Sequence, residues 1–118
     1  MEMIITRTCY SRWGVAGTMH IDGQCVAHTC EHPAHCLPPG RYSIRLRQGH
    51  MAIGRRRAAL RPGNGPMALT DGSIIVGRFE LTGLLAHSKA YYAKLYMKAH
   101  RCSKKKEPIT LIIQNKRQ

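Results

Sequence analysis

Val15-Ala16-Gly17-Thr18-Met19-His20-Ile21, then Asp22-Gly23, then Gln24-Cys25-Val26-Ala27-His28-Thr29-Cys30-Glu31, is the stretch on which the fold turns. Asp-Gly tolerates the positive φ angles that a tight primed turn demands, so this spacing predicts a β-hairpin. After Pro38-Pro39-Gly40, Tyr42, Ile44 and Leu46 alternate with Ser43, Arg45 and Arg47, which predicts a half-buried strand with a basic outer face. A loop rich in Gly and Arg is expected next (Gly49, Gly54, Arg55 to Arg57), then a fixed turn at Arg61-Pro62-Gly63-Asn64-Gly65-Pro66. Ser73 to Phe79 reads as another short strand. One helix is expected in the C-terminal half: Ser88 is a candidate N-cap, and Tyr91, Tyr92, Leu95, Tyr96 and Ala99 recur at helical spacing. It should end before Ser103 to Lys106, leaving Ile109, Leu111 and Ile113 to alternate with Thr110, Ile112 and Gln114 in a last strand. The expected architecture is mainly β, a small and mostly antiparallel barrel or sandwich with one helix packed against it.

With 118 residues, the chain is long enough for one domain, residues 1–118, with one modest core. A single Phe and a single Trp leave that core to Ile, Leu, Val, Met and Tyr. The N-terminus, Met1-Glu2-Met3-Ile4-Ile5-Thr6-Arg7, lacks the basic-then-apolar layout of a secretory signal, and no stretch approaches a membrane-spanning helix. A cytoplasmic protein is the default expectation, with export by a lysis or secretion partner as the other route. Five cysteines at irregular spacing predict reduced thiols rather than a disulfide framework.

Nineteen Lys and Arg against six Asp and Glu give a formal charge of +13. Such a charge costs self-repulsion in the compact state, which a polyanionic partner would relieve. Residues 89–118 carry +8 and residues 1–88 carry +5, so the C-terminal quarter is the basic pole. Arg55, Arg56 and Arg57 in a loop, Lys94, Lys98 and Arg101 on the helix, and Lys104, Lys105 and Lys106 beyond it are the candidate polyanion contacts. Nucleic acid, peptidoglycan and acidic protein are the partners that such a surface could serve, and the scarcity of aromatics argues against base stacking.

Cys25, His28, Cys30, His32, His35 and Cys36 place six metal-ligand residue types within twelve positions. On an extended strand His28, Cys30 and His32 would point to one side, with His35 or Cys36 arriving from the following loop, which makes zinc the candidate ion. The spacing matches no established zinc pattern, so the alternative is a solvated His face with Cys36 as a small buried hydrophobe, and no cofactor is the default expectation.

The residues Gly17-Thr18, Thr29-Cys30-Glu31-His32-Pro33, Cys36-Leu37-Pro38-Pro39-Gly40-Arg41-Tyr42, Arg61-Pro62-Gly63-Asn64 and Thr70-Asp71-Gly72-Ser73-Ile74-Ile75-Val76-Gly77 occur in an order that carries a resemblance. With Ser88 opening a helix before Glu107-Pro108-Ile109-Thr110-Leu111, they resemble an uncharacterised family of small bacterial and phage proteins. That family is similar in turn to the catalytic domain of L,D-transpeptidases, the YkuD-like enzymes that cross-link peptidoglycan. The resemblance runs from Arg7 to Gln114. It implies a β-rich transpeptidase-like fold, a mobile-element or phage origin, and a site in which Arg61 stands where the family has His and Ser73 where it has Cys.

That exchange matters chemically. A thiol can be activated by a neighbouring His, whereas a Ser hydroxyl must lose its proton to a positioned base as it attacks. Arginine stays protonated and cannot be that base. His50 and His87 are the nearest His in sequence, but no spacing rule brings either to Ser73. The resemblance therefore implies a degenerate site whose pocket, formed by Arg61, Asn64, Thr70, Asp71, Gly72, Ser73 and Arg78, would hold a carboxylate or phosphate. The expected function is a non-catalytic binding or accessory module. An active cell-wall peptidase or transpeptidase using Ser73 is one alternative, and a basic nucleic-acid-binding protein is the other.

Overall fold

A computed structural model of the chain describes residues 1–54, 57–63, 65, 69–80 and 85–116. Its strands are β1 (Glu2–Ser11), β2 (Gly14–Ile21), β3 (Gln24–Glu31), β4 (Gly40–Arg47), β5 (His50–Ile53), β6 (Ala59–Arg61), β7 (Ile74–Phe79), β8 (Leu85–Ala86) and β9 (Thr110–Asn115), with the helix α1 (Ser88–Lys104) between β8 and β9. The strands line up in the order β3-β2-β1-β9-β4-β5-β6-β7-β8, and β3 also pairs with β7. That last pairing closes the sheet into a small barrel and leaves β8 as an appendage on β7. Closure removes the long free edges on which an open sheet would aggregate.

The expected hairpin is β2–β3, joined through Asp22 (φ 51°) and Gly23 (φ 81°) with Ile21 opposite Gln24. A second primed turn, Gln48 (φ 47°) and Gly49 (φ 83°), joins β4 to β5. Here the expected loop is corrected: His50–Ile53 is strand β5 and Ala59–Arg61 is strand β6. Gln48 is not a usual turn marker, and strands of four and three residues show too little alternation to stand out beside Gly49 and Gly54. The N-terminal stretch, read above only for its lack of a signal layout, is the barrel strand β1, parallel to β9 on one side and antiparallel to β2 on the other.

Side-chain alternation fills the barrel. Met3 and Ile5 from β1, Met19 and Ile21 from β2, Met51 and Ile53 from β5, Ile74 and Val76 from β7, and Leu111 and Ile113 from β9 share one buried cluster. Gly17 sits among them because a Cβ there would lie 2.8 Å from both Thr29 Oγ1 and the Thr6 carbonyl oxygen. On the outer face, Cys30 and its strand partner Ile75 join Leu69 and Leu85 in a second, smaller cluster.

The parallel β1–β9 pair needs a crossover, and α1 supplies it. Leu95, Ala99 and Cys102 drive into the main cluster, while Tyr91, Tyr92 and Tyr96 pack at its margin. The Tyr92 hydroxyl donates to the Gly49 carbonyl at 2.8 Å, and the Met1 amino group lies 3.7 Å from Cys102 Sγ. α1 thus covers the end of the barrel where β1 begins. Ser88 is not the N-cap: His87 holds that place in the left-handed region (φ 55°) without a side-chain cap. The Ser88 hydroxyl instead donates to the Val76 carbonyl and accepts the Gly63 N–H at 2.9 Å, tying the helix start to β7. The helix also runs on to Lys104, past its expected end.

Candidate functional site: an occupied serine and an unpaired basic helix

The Thr70–Ser73 turn is built by Asp71, whose Oδ1 accepts the Ser73 N–H at 2.8 Å. Such an Asx turn fixes the bend that leads into β7. Ser73 is 2% exposed, and its hydroxyl accepts the Ala59 N–H at 3.1 Å, stitching the turn to β6. Leu37 lies over Gly72 so closely that a Cβ at Gly72 would be 2.7 Å from Leu37 Cδ2. Arg61 is exposed on β6, in register with Ile75 rather than with Ser73. Thr70 is exposed and Asp71 half-buried, while Arg78 belongs to a separate cleft of about 90 Å³ with His28, Gly77 and Tyr91. Asn64 lies outside the described residues.

The structure therefore brings Thr70, Asp71, Gly72 and Ser73 into one turn and leaves Arg78 elsewhere. His87 lies 4.0 Å from Glu80, and His50 is exposed on β5. Among the described residues neither hydrogen-bonds Ser73. A nucleophile must be reachable and beside a base; here the hydroxyl is buried and accepts the Ala59 N–H.

The metal candidates also separate. His28 stacks on Phe79 with ring centres 5.3 Å apart, and its Nδ1 accepts the Phe79 N–H at 2.8 Å. Cys30 is buried in the outer cluster, where burial first and the Glu31 charge second push its thiol up to about 11. His32 and His35 lie 4.5 Å apart, ring centre to ring centre, but His32 Nδ1 accepts the Ala34 N–H at 3.0 Å. Cys36 Sγ faces the Pro33 carbonyl at 3.8 Å, and Cys25 is exposed. Among the described residues no group of three or more His, Cys, Asp or Glu is placed to hold a metal ion. All five cysteines are free thiols.

One constellation was missed by sequence reasoning. Arg7 and Glu31 form a buried bidentate pair, with Nε to Oε2 at 3.0 Å and Nη2 to Oε1 at 2.7 Å. Their side chains are 1% and 0% exposed. Arg7 also donates to the Leu37 carbonyl at 2.6 Å and to the Tyr10 hydroxyl at 3.3 Å, and that hydroxyl donates to Asn115 Oδ1 at 2.6 Å. Burial alone would pull the guanidinium down, but the hydrogen bonds and charge of Glu31 outweigh it and raise Arg7 above its ordinary value. The network closes the barrel end opposite α1. The signal was present in the alternation, since Arg7 follows Met3 and Ile5 on the inward face and Glu31 follows Ala27 and Thr29.

The described part of the basic pole lies on the surface. Lys94, Lys98, Arg101, Lys104, Lys105 and Lys106 are all exposed, as is Arg57, while Arg55 and Arg56 lie outside the described residues. α1 contains no Asp or Glu. Among the described residues the ion pairs are Arg7–Glu31, Arg41–Glu2 and His87–Glu80, so none of the α1 cations is paired. Lys94, Lys98 and Arg101 follow i, i+4, i+7 spacing, a row spanning about 10 Å. Beside it Met97, 56% exposed, joins Tyr96, His100, Arg101 and Lys104 around a shallow groove of about 270 Å³.

Among the described residues no helix is long and apolar enough to cross a membrane. Compared with known proteins, the chain matches no family model, no curated protein and no solved structure.

Proposed function

We propose that this protein is a non-catalytic binding module for nucleic acid that grips the phosphate backbone through the outer face of α1, on a barrel resembling an L,D-transpeptidase catalytic domain whose chemistry has been lost. The observation that carries it is the row Lys94, Lys98 and Arg101, extended by Lys104 to Lys106, exposed and without a carboxylate partner among the described residues. Charge concentrated on one helix and left unpaired costs stability unless a polyanion meets it. Phosphate contacts of this kind supply affinity without sequence choice. Catalysis by Ser73 draws no support from a hydroxyl that is 2% exposed and already bonded to the Ala59 N–H.

The same charge could be used on cell wall, so the test sets the two polyanions side by side. Fluorescence anisotropy with a labelled DNA duplex of arbitrary sequence should show saturable binding that is insensitive to base order. Pull-down on purified peptidoglycan sacculi should then show weaker retention at the same ionic strength. Retention on sacculi in buffer where the duplex is not bound would overturn the proposal in favour of a wall-binding role.

A further inference from the structure

On the far side of the α1 C-terminus, β4 has an open edge. Its ladder with β9 runs from Gly40↔Ile113 to Ser43↔Thr110 and ends with the Ile44 N–H donating to the Ile109 carbonyl at 2.9 Å. Peptide groups alternate sides along a strand. Ser43 turns its carbonyl to Gly54 on the β5 side, so the next group facing β9 after Ile44 is that of Leu46. No described strand pairs with Leu46 there.

The chain itself keeps that edge open. Glu107, opposite Leu46 by continuation of the register, turns its N–H back to the Cys102 carbonyl at 3.2 Å, and the Pro108 carbonyl is taken on the other side by the Met1 amino group at 2.7 Å. Lys106 adopts φ 58° in the turn that follows the helix. Between that turn and β4 lies a groove of about 530 Å³ lined by Ile44 to Arg47, Ser103 and Lys106 to Ile109. Ile44, Leu46, Pro108 and Ile109 are the apolar part of that lining, and Arg45, Arg47 and Lys106 bring three cations against the single carboxylate of Glu107.

We propose that this groove binds an extended acidic peptide, which adds to the Leu46 edge of β4 as a further strand. A strand placed there would satisfy the Leu46 N–H and C=O. Its residue opposite Leu46 would point inward onto Ile44 and Ile109, and its neighbours would point outward beside Arg45 and Arg47. The recognised chemistry is therefore alternating acidic and apolar side chains in an extended backbone. A nucleic-acid phosphate would use the cations but neither the apolar lining nor the strand edge. The proposal concerns a different partner from the α1 row, shares only Lys106 with that surface, and does not depend on it.

The test uses acetyl-Glu-Val-Glu-Val-Glu-amide and the same peptide N-methylated at alternate residues, titrated into the full-length protein and followed by amide NMR. The unmodified peptide should saturate and shift the Leu46 amide resonance. N-methylation should weaken binding at least about tenfold, a loss of about 1.4 kcal/mol. R45E/R47E, at two exposed positions, should abolish binding, whereas K94E/K98E should leave it unchanged. Equal affinity of the methylated peptide, or saturation without a shift at Leu46, would show charge attraction alone and overturn the proposal. Absence of saturation up to about 1 mM would do the same.

Discussion

Ser73 illustrates how a residue at a chemically suggestive position can be consumed by the fold. Its hydroxyl accepts the Ala59 N–H, so Ser73→Ala removes a half-buried hydrogen bond and should cost about 0.5–1.5 kcal/mol, read by urea denaturation, with duplex affinity unchanged. Arg7 and Glu31 set a sharper contrast. Glu31→Ala leaves a buried guanidinium uncompensated and should cost about 3–5 kcal/mol, whereas the double replacement Arg7→Met with Glu31→Leu should cost far less than Glu31→Ala. Cys30 adds a pH signature. Its folded-state pKa is raised from 9.0 to about 11, so the folded chain holds that proton more tightly than the unfolded chain. The associated stability is complete below about pH 9 and is lost as pH rises through 11, and a thermal melt series across that window should fall accordingly. At pH 8 a thiol reagent should label exposed Cys9 and Cys25 and spare Cys30 until the protein unfolds.

Among the elements, the β2–β3 hairpin and β4 were legible because their signals are local: Asp22-Gly23 for the turn, and Tyr42, Ile44 and Leu46 against Ser43, Arg45 and Arg47 for the strand. The helix was equally legible from Leu95 and Ala99, yet its first residue was misassigned, because the Ser88 hydroxyl bonds Val76 and Gly63 from distant segments rather than its own helix. β5, joined through Gln48, carried too weak a local signal. The candidate site suffered most, since whether Ser73 faces solvent depends on Leu37 and Ala59, contacts that no spacing within Thr70–Gly77 encodes. Close approach of β1, β2 and β3 rests on Gly17. Gly17→Ala would press a methyl onto the Thr6 carbonyl and Thr29 Oγ1, and a loss of about 1–3 kcal/mol is expected in chemical denaturation.

For the molecule as a whole, closure of β3 onto β7 joins a hydrophobic barrel to two differently finished ends. One is sealed by the Arg7–Glu31 network and the other by α1, whose inner face completes the core while its outer face holds unpaired cations. Under the proposed function, that division would let the outer face meet a polyanion without disturbing the core. The barrel was foreseeable from alternation and turns, but the parallel placement of β1 beside β9 was not, because pairing across 108 positions of sequence (Glu2↔Thr110) leaves no local trace. The most direct measurement is duplex affinity as a function of salt for the wild type and for K94E/K98E/R101E. Wild-type log K should fall against log salt with a slope of about −4 to −5, and the triple variant should lose about three units of that slope while keeping its fold. A triple variant that binds DNA with the wild-type affinity and slope would contradict the assignment of α1 as the phosphate-binding face.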